Sequence, residues 1–386
     1  MDIIVVFILV VLATQLLLTA MSKKHPLFDR SLMLKLFLYH LGFFLLYYIM
    51  ALSNPTDSKH YYYVATLRQD DWFGLFETST NFINFVAVPF VQMGLSYESL
   101  MLIFAWFGFV GFVYAYLFFK EHIPQRIEIF KGVDFLTLLL FLPNMHFWTV
   151  SLGKGSIIFM GIMMFMYAIK NPKGRFILLF MGGFIAYMVR PHMMFFLLFS
   201  LALGLFFGKD RNVSSTTKVA MVIIAVGFLF AASSSVLSMV NLEGSEDVIS
   251  DFEAFAESRS TELAKAGSGI DMGSYPLPLK LFTFWFRPLF FDAPGFLGLF
   301  SSIENLLYLF IFSKILSFKF ISFLKNSSYI VKMSMAVFLS VSFGMIFMAS
   351  NLGIIIRQKS QVMYFGFFVI FSYLAYLESL KTQNRT

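Results

Sequence analysis

The chain reads as an all-α, polytopic integral membrane protein, and three observations predict it. Of 386 residues, 59% are hydrophobic and 13% charged, which leaves too few polar side chains to coat a soluble globule of this size. Mean hydropathy is +0.77. The apolar residues come in long runs, and the short turns between them carry Lys and Arg on alternate connections. The 53 Phe and 23 Met suit lipid-facing and helix-packing surfaces, which need bulk and adaptability more than polarity. The absence of Cys excludes a disulfide framework, a thiolate nucleophile and cysteine-ligated zinc or iron–sulfur centres.

A span takes roughly 20 apolar residues, fewer where the flanks snorkel. On that rule helices are expected over 3–20, 31–53, 99–119, 134–150, 155–169, 176–190, 192–208, 219–240, 295–313, 329–349 and 362–378, about eleven transmembrane helices in all. The segments Asn81 to Leu95, broken by Pro89, and Leu279 to Phe291, broken by Pro288, are too short or interrupted to span and are expected to lie along the outer interface. No soluble domain, low-complexity tract or internal repeat stands out, so residues 1–386 are read as a single transmembrane domain. Outer loops 54–98 and 241–294 cap it. The longer of these, Asn241 to Pro278, holds a short amphipathic pattern with Phe252, Phe255 and Leu263 among Glu253, Glu257, Arg259 and Glu262.

Charge fixes the expected orientation. The turns containing Lys23, Lys24 and Arg30; Lys120, Arg126 and Lys131; Lys170, Lys173 and Arg175; Lys209, Arg211 and Lys218; and Lys314, Lys319 and Lys325 fall on one side, with Lys381 and Arg385. That side is expected to be cytoplasmic, with the N-terminus outside. The net charge of +7 is thus assigned to cytoplasmic turns and not to nucleic acid. The first helix has no basic residue before it and two lysines after it, the reverse of a secretory signal, so it is expected to be retained. The acceptor patterns at Asn212 and Asn326 fall on the cytoplasmic side and are discounted.

Sorting by side gathers the unusual polar stretches on the outer face: NPTDSKHYYYVATLRQDDW, NMHFWTVSLGKGS, VRPH, SYPLPLKLFTFWFRPLFFD and SNLGIIIRQKSQ. The stretch 142–161 reads as a hairpin elbow in which Pro143 loosens the end of one helix and His146 and Lys154 reach the outer mouth. Lys154 opens the next helix, where unpaired N–H groups and the helix dipole already favour an anion. Its GKGS lacks the first glycine of a Walker loop, since Trp148 stands there. Arg190 and His192 flank Pro191 between nearly uncharged runs, Arg287 repeats the Arg-Pro pair with Asp292 and Glu304 downstream, and Arg357 and Lys359 form a third cationic pair. A membrane arginine is costly unless it is near an end, paired or facing water, and its planar fork suits phosphate oxygens. Asp57, Asp70, Asp71 and Glu77 lie near His60 and Tyr61, Tyr62 and Tyr63, a mix able to supply a general base and an aromatic platform for a sugar ring. The six histidines show no metal-binding spacing.

The post-span TDSKHYYYVATL, the run FINFVAVPFVQMGLSYESLMLIFAWFGFVGF and the outer arginines resemble bacterial membrane proteins of surface-polysaccharide assembly: O-antigen or EpsG-like repeat-unit polymerases and GT-C glycosyltransferases. The resemblance implies glycosyl transfer or polymerisation at the outer face of the cytoplasmic (inner) membrane from a polyprenyl-(pyro)phosphate-linked sugar or repeat unit. The expected roles are phosphate binding by Lys154, Arg190, Arg287 and Arg357, proton removal by Asp57 or His192, and sugar contact by Tyr61, Trp148 and Tyr275. A divalent cation is optional, because the arginines can supply the positive charge. Lipid and an assembly complex are the expected partners. The alternatives are a GT-C enzyme adding a single sugar, a transporter or flippase of a lipid-linked sugar, and a non-enzymatic envelope scaffold.

Overall fold

A computed structural model of the chain describes residues 2–210, 214–239, 274–348 and 350–383, and within the insert 247, 250–251, 254–255, 257–258, 261–262, 269–270 and 272. Of the expected features, Arg211, Asn212 and Arg385, and Phe252, Glu253, Arg259 and Leu263 of the amphipathic pattern, lie outside the described residues. Chain contacts group into two units, Met1–Pro191 and His192–Thr386.

Unit 1 contains α1 (Asp2–Lys24), α2 (Arg30–Ser53), α3 (Asp57–Leu67), α4 (Thr80–Gln92) and α5 (Tyr97–His122). A two-residue-to-three-residue antiparallel hairpin follows, β1 (Glu128–Phe130) with β2 (Val133–Asp134). Then come α6 (Phe135–Leu140), α7 (Pro143–Thr149), α8 (Lys154–Ala168) and α9 (Phe176–Val189). Local chemistry sets several starts. Asp29 caps α2 by accepting from the Leu32 N–H at 2.9 Å, and Asp134 caps α6 through the Thr137 N–H at 2.9 Å. Pro143 does not loosen a helix end as expected: it occupies the first turn of α7, where its missing N–H costs nothing.

The most apolar window of α5 is 83% buried, whereas that of α1 is 22% buried and presents Ile4, Ile8, Leu12 and Leu16 outward. A helix apolar all round belongs at a core, so α5 is the axis and α1 a peripheral, lipid-compatible helix. Glycine brings α8 and α9 together: a Cβ on Gly182 would lie 2.6 Å from the Phe165 backbone nitrogen and 2.8 Å from the Gly161 carbonyl oxygen. Backbone atoms cannot step aside as a flexible side chain can.

Unit 2 contains α10 (Pro191–Phe207), α11 (Ser215–Met239), α12 (Leu277–Phe286), α13 (Gly295–Ser313), α14 (Phe318–Asn326), α15 (Tyr329–Met348) and α16 (Leu352–Gln383). Its axis is α16, whose apolar window is 78% buried. Gly204 lets α10 approach α15, since a Cβ there would sit 2.6 Å from the Tyr329 carbonyl oxygen.

The apolar runs become helices where expected, but five helices among the described residues are long and apolar enough to cross a membrane: α1, α2, α5, α15 and α16. The number rises to six if α13 and α14, bent by 79°, count as one span. The expected figure of about eleven spans is therefore corrected. The reason is length. The helices α8, α9 and α10 run 15, 14 and 17 residues, roughly 21 to 26 Å at 1.5 Å per residue, short of a hydrocarbon core of about 30 Å. The run at 134–150 is broken at Phe141 and Leu142 into α6 and α7. Conversely, 352–361, expected as an outer connection, forms the first turns of α16.

The turn between α1 and α2 is pinned by polar bonds. Tyr116 donates to the Leu27 carbonyl at 2.7 Å and accepts from the Asp29 N–H at 3.0 Å. His25 meets the Tyr167 hydroxyl at 2.9 Å and the Glu121 carboxylate at 3.5 Å, and Glu121 also takes a two-pronged bond from Arg175. Burial lowers the His25 pKa below its ordinary 6.5, outweighing the attraction of Glu121, with Arg175 and Lys24 opposing the charge further.

Two outcomes are expected. Gly182→Val should destabilise unit 1 by about 1–3 kcal/mol through overpacking, read as a lower melting temperature of the purified chain. Because the folded state resists protonating His25, its contribution is complete above the unfolded value of about 6.5 and is lost as pH falls toward the lowered folded value. Melting temperature should therefore drop on acidification from about pH 7 to about pH 5, and His25→Gln should shrink that drop.

Candidate functional site

The expected site residues divide between the units. In unit 1, Asp57 stands exposed in the first turn of α3, where a carboxylate complements the helix dipole. One turn on, Tyr61 is buried, and its ring lies 3.3 Å from where a Cβ on Gly153 would stand. Gly153 turns the chain into α8 with φ 157°, a conformation open to glycine, and Lys154 follows as the first residue of α8. Trp148 is half-buried at the end of α7, edge-on to Phe147, and its carbonyl crowds Gly155.

Ser79 ties these pieces to α9. The Lys154 ammonium donates to the Ser79 hydroxyl at 2.7 Å, and the Ser79 N–H donates to the Met188 carbonyl at 2.6 Å, two residues before Arg190. Ser79 holds φ 70°, ψ −121°, a backbone conformation unfavourable to a residue with a Cβ. Tyr61, Trp148, Lys154 and the α9 end bearing Arg190 thus converge although they are spread over more than 120 positions of sequence. Ser79 was absent from the expected residues. Its signal, a serine between Glu77 and the apolar start of α4, looks like an ordinary helix cap.

His146 is corrected. It does not reach an outer mouth but is fully buried among α2, α5 and α6, bonded to His40.

In unit 2, Arg287 ends α12. Its Nε donates to Asp292 at 2.5 Å, and Nη1 lies 3.4 Å from both the Tyr275 hydroxyl and Thr283 Oγ1. Burial works against this charge, but the Tyr275 and Asp292 contacts more than offset it, so the pKa is raised. Tyr275, expected at a sugar, here lies against Arg287, whose guanidinium carbon is 6.0 Å from the ring centroid. His192 opens α10, partly exposed, and Arg357 is partly exposed in the second turn of α16.

Lys359, two residues on and so about 200° round the helix from Arg357, is 1% exposed. Its ammonium donates to Asn305 Oδ1 at 2.5 Å, to the Arg287 carbonyl at 2.8 Å and to the Trp285 carbonyl at 3.5 Å. Asn305 in turn donates to the Pro288 carbonyl at 2.7 Å. Pro288 cannot continue α12, so the carbonyls at its end lack helical partners, and Lys359 with Asn305 supplies them. A cation at a helix C-terminus is also favoured by the dipole. Glu304, 5% exposed and hydrogen-bonded by Tyr308, and Asp292 lie within electrostatic reach of the ammonium.

Two clefts of about 550 Å³ each open in unit 1 at the far end of α8 from Lys154. Asp29, Arg126 and Asp134 line the first, His25, Glu121 and Arg175 the second, and Lys120 both. They lie among the basic turns. Among the described residues no group of three or more His, Cys, Asp or Glu side chains is arranged to hold a metal ion.

The chain matches no family model, no curated protein and no solved structure. What it does must be argued from its own residues.

Lys359→Met is expected to destabilise the chain by about 1–3 kcal/mol for each buried acceptor left unpaired. A thermal melt checks it; an unchanged melting temperature would remove Lys359 as the cap of α12.

Proposed function

We propose that the protein transfers or polymerises a sugar or repeat unit from a polyprenyl-(pyro)phosphate carrier, at the outer face of a cytoplasmic membrane, as part of surface-polysaccharide assembly. The observation that supports this is the convergence about Ser79 of Lys154 and the Arg190 end of α9, flanked by Tyr61 and Trp148. Lys154 stands where the first N–H groups of α8 point, a position suited to a phosphate oxygen. The strained Ser79 between it and α9 is the kind of backbone outlier that accompanies a functional position. Aromatic faces beside a cation suit a sugar joined to a phosphate.

In this reading Asp57 takes the proton from an acceptor hydroxyl, whose oxygen attacks the anomeric carbon. The bond from that carbon to the phosphate oxygen breaks, and the electron pair leaves on the polyprenyl (pyro)phosphate, held by Lys154 and Arg190. Movement of a lipid-linked sugar across the membrane would ask a span for an ionisable group with donors to spare. Lys359, the buried lysine of α16, spends its donors on Asn305 and the end of α12, which leaves it unsuited to that role.

The test is complementation of a deletion strain with wild type, Arg190→Ala or Lys154→Ala, with membrane levels of each variant measured alongside. Each substitution should lower glycan synthesis by about 10²–10³-fold at normal protein level, the scale of a lost transition-state donor. Accumulating intact lipid-linked units would mean polymerisation, and a unit lacking one sugar would mean single-sugar transfer. Normal glycan with both variants would overturn the proposal.

A further inference from the structure

The interior of unit 1 contains a pair of histidines that the proposed reaction does not use. His40 in α2 and His146 in α7 are 1% and 0% exposed. Their Nδ1 atoms are 2.8 Å apart. His40 Nε2 lies 2.9 Å from the Ala105 carbonyl of α5, and His146 Nε2 lies 2.7 Å from the Leu140 carbonyl of α6.

Proton counting on these contacts has one satisfactory answer. A carbonyl oxygen only accepts, so each Nε2 must carry a hydrogen. A neutral imidazole has one N–H, so two neutral rings protonated at Nε2 would face each other with two bare lone pairs at 2.8 Å. Moving one hydrogen to Nδ1 repairs that contact and leaves an Nε2 lone pair against a carbonyl oxygen. Three contacts need three hydrogens, and two neutral rings bring two.

We infer that His40 and His146 form a buried proton-binding site, in which a single proton is held between the two Nδ1 atoms and the pair carries one positive charge. Burial of that charge is costly, and the aromatic walls offset part of the cost. The ring of His146 stacks on Phe112 with centroids 4.0 Å apart at 6°, and on Phe43 at 5.8 Å and 26°. Phe112 also meets His40 edge-on at 5.5 Å. Aromatic faces attract a cation, most strongly where water is excluded.

The neighbours from each element are few. From α2, the Tyr39 phenol is the titratable group, edge-on to His146 at 4.9 Å with its hydroxyl donated to the Phe141 carbonyl. The contribution of α5 is the Ala105 carbonyl with Phe109 and Phe112; of α6, the Leu140 carbonyl; of α8, Phe159 behind Phe112. Among the described residues no carboxylate, lysine or arginine makes an ion pair or hydrogen bond with either ring. The charge is therefore not half of a salt bridge. The separation also selects a proton over a metal: tetrahedral zinc with Zn–N bonds of about 2.0–2.1 Å holds its nitrogens roughly 3.3 Å apart.

Nitrogen NMR of the full chain in lipid bilayers, with ring-¹⁵N-labelled histidine, tests this at neutral pH. Both Nε2 atoms should be protonated, with one N–H···N coupling between the two Nδ1 atoms. In His146→Asn, the His40 ring should revert to the neutral form with one bare nitrogen. A wild-type pair with one bare Nε2, or with no coupling between the Nδ1 atoms, would overturn the inference. If the variant does not fold, the coupling in the wild-type spectrum decides alone, because the pair is identified by that coupling.

Discussion

A polar group withdrawn from water into an interior this apolar must find its partner in the chain itself. That constraint explains why the buried polar contacts occur where helices begin, end or break. α12 stops before Pro288 and leaves carbonyls behind; Lys359 and Asn305, from α16 and α13, reach them. α6 stops at Leu140 and its last carbonyl is taken by His146. The turn from α1 to α2 leaves the Leu27 carbonyl and Asp29 N–H, and one Tyr116 hydroxyl serves both. In each case a side chain on a long, well-packed helix, or one held against it, completes backbone that a neighbouring helix end or turn leaves open.

Close approach of helices serves the same end. Without a strong hydrophobic drive between helices in lipid, association depends on packing and on small residues that let backbones meet. Gly161 and Gly182 do this for α8 and α9, and Gly204 for α10 against α15. Short helices that would be poor spans alone are thereby held in place. The chain's elbows can then be built on them, including the start of α8, where Lys154 faces Ser79.

The positions of the helices were legible because an apolar run between polar turns is itself the signal. Their capacity to span was less so. Hydropathy at 134–150 does not show that Phe141 and Leu142 interrupt the helix, or that α9 ends after 14 residues. The cluster RQKSQ read as a connection, yet Ile355, Ile356, Lys359, Val362 and Met363 all point inward on α16. A lysine there looks like an interface residue until the end of α12, more than 70 positions earlier, is brought against it. The cations and aromatics of the candidate site were visible as residue types; Ser79, which joins Lys154 to α9, was not, because its role lies in a backbone conformation and two long-range bonds.

The two units therefore bury nitrogen groups by different means, and the difference follows from the donors each side chain owns. An ammonium has three donors and no acceptor, so Lys359 is satisfied by oxygens alone, and the broken end of α12 provides a supply of them. An imidazole has two nitrogens whose roles depend on a proton, so a histidine buried against carbonyls on one side needs a partner that can share on the other. His40 and His146 find that partner in each other, across a separation of 106 residues in sequence. A lysine in place of either ring would bring three donors to a pocket that offers that ring one carbonyl oxygen and is otherwise walled by Phe43, Phe109 and Phe112. A histidine in place of Lys359 would lack the donors to close α12.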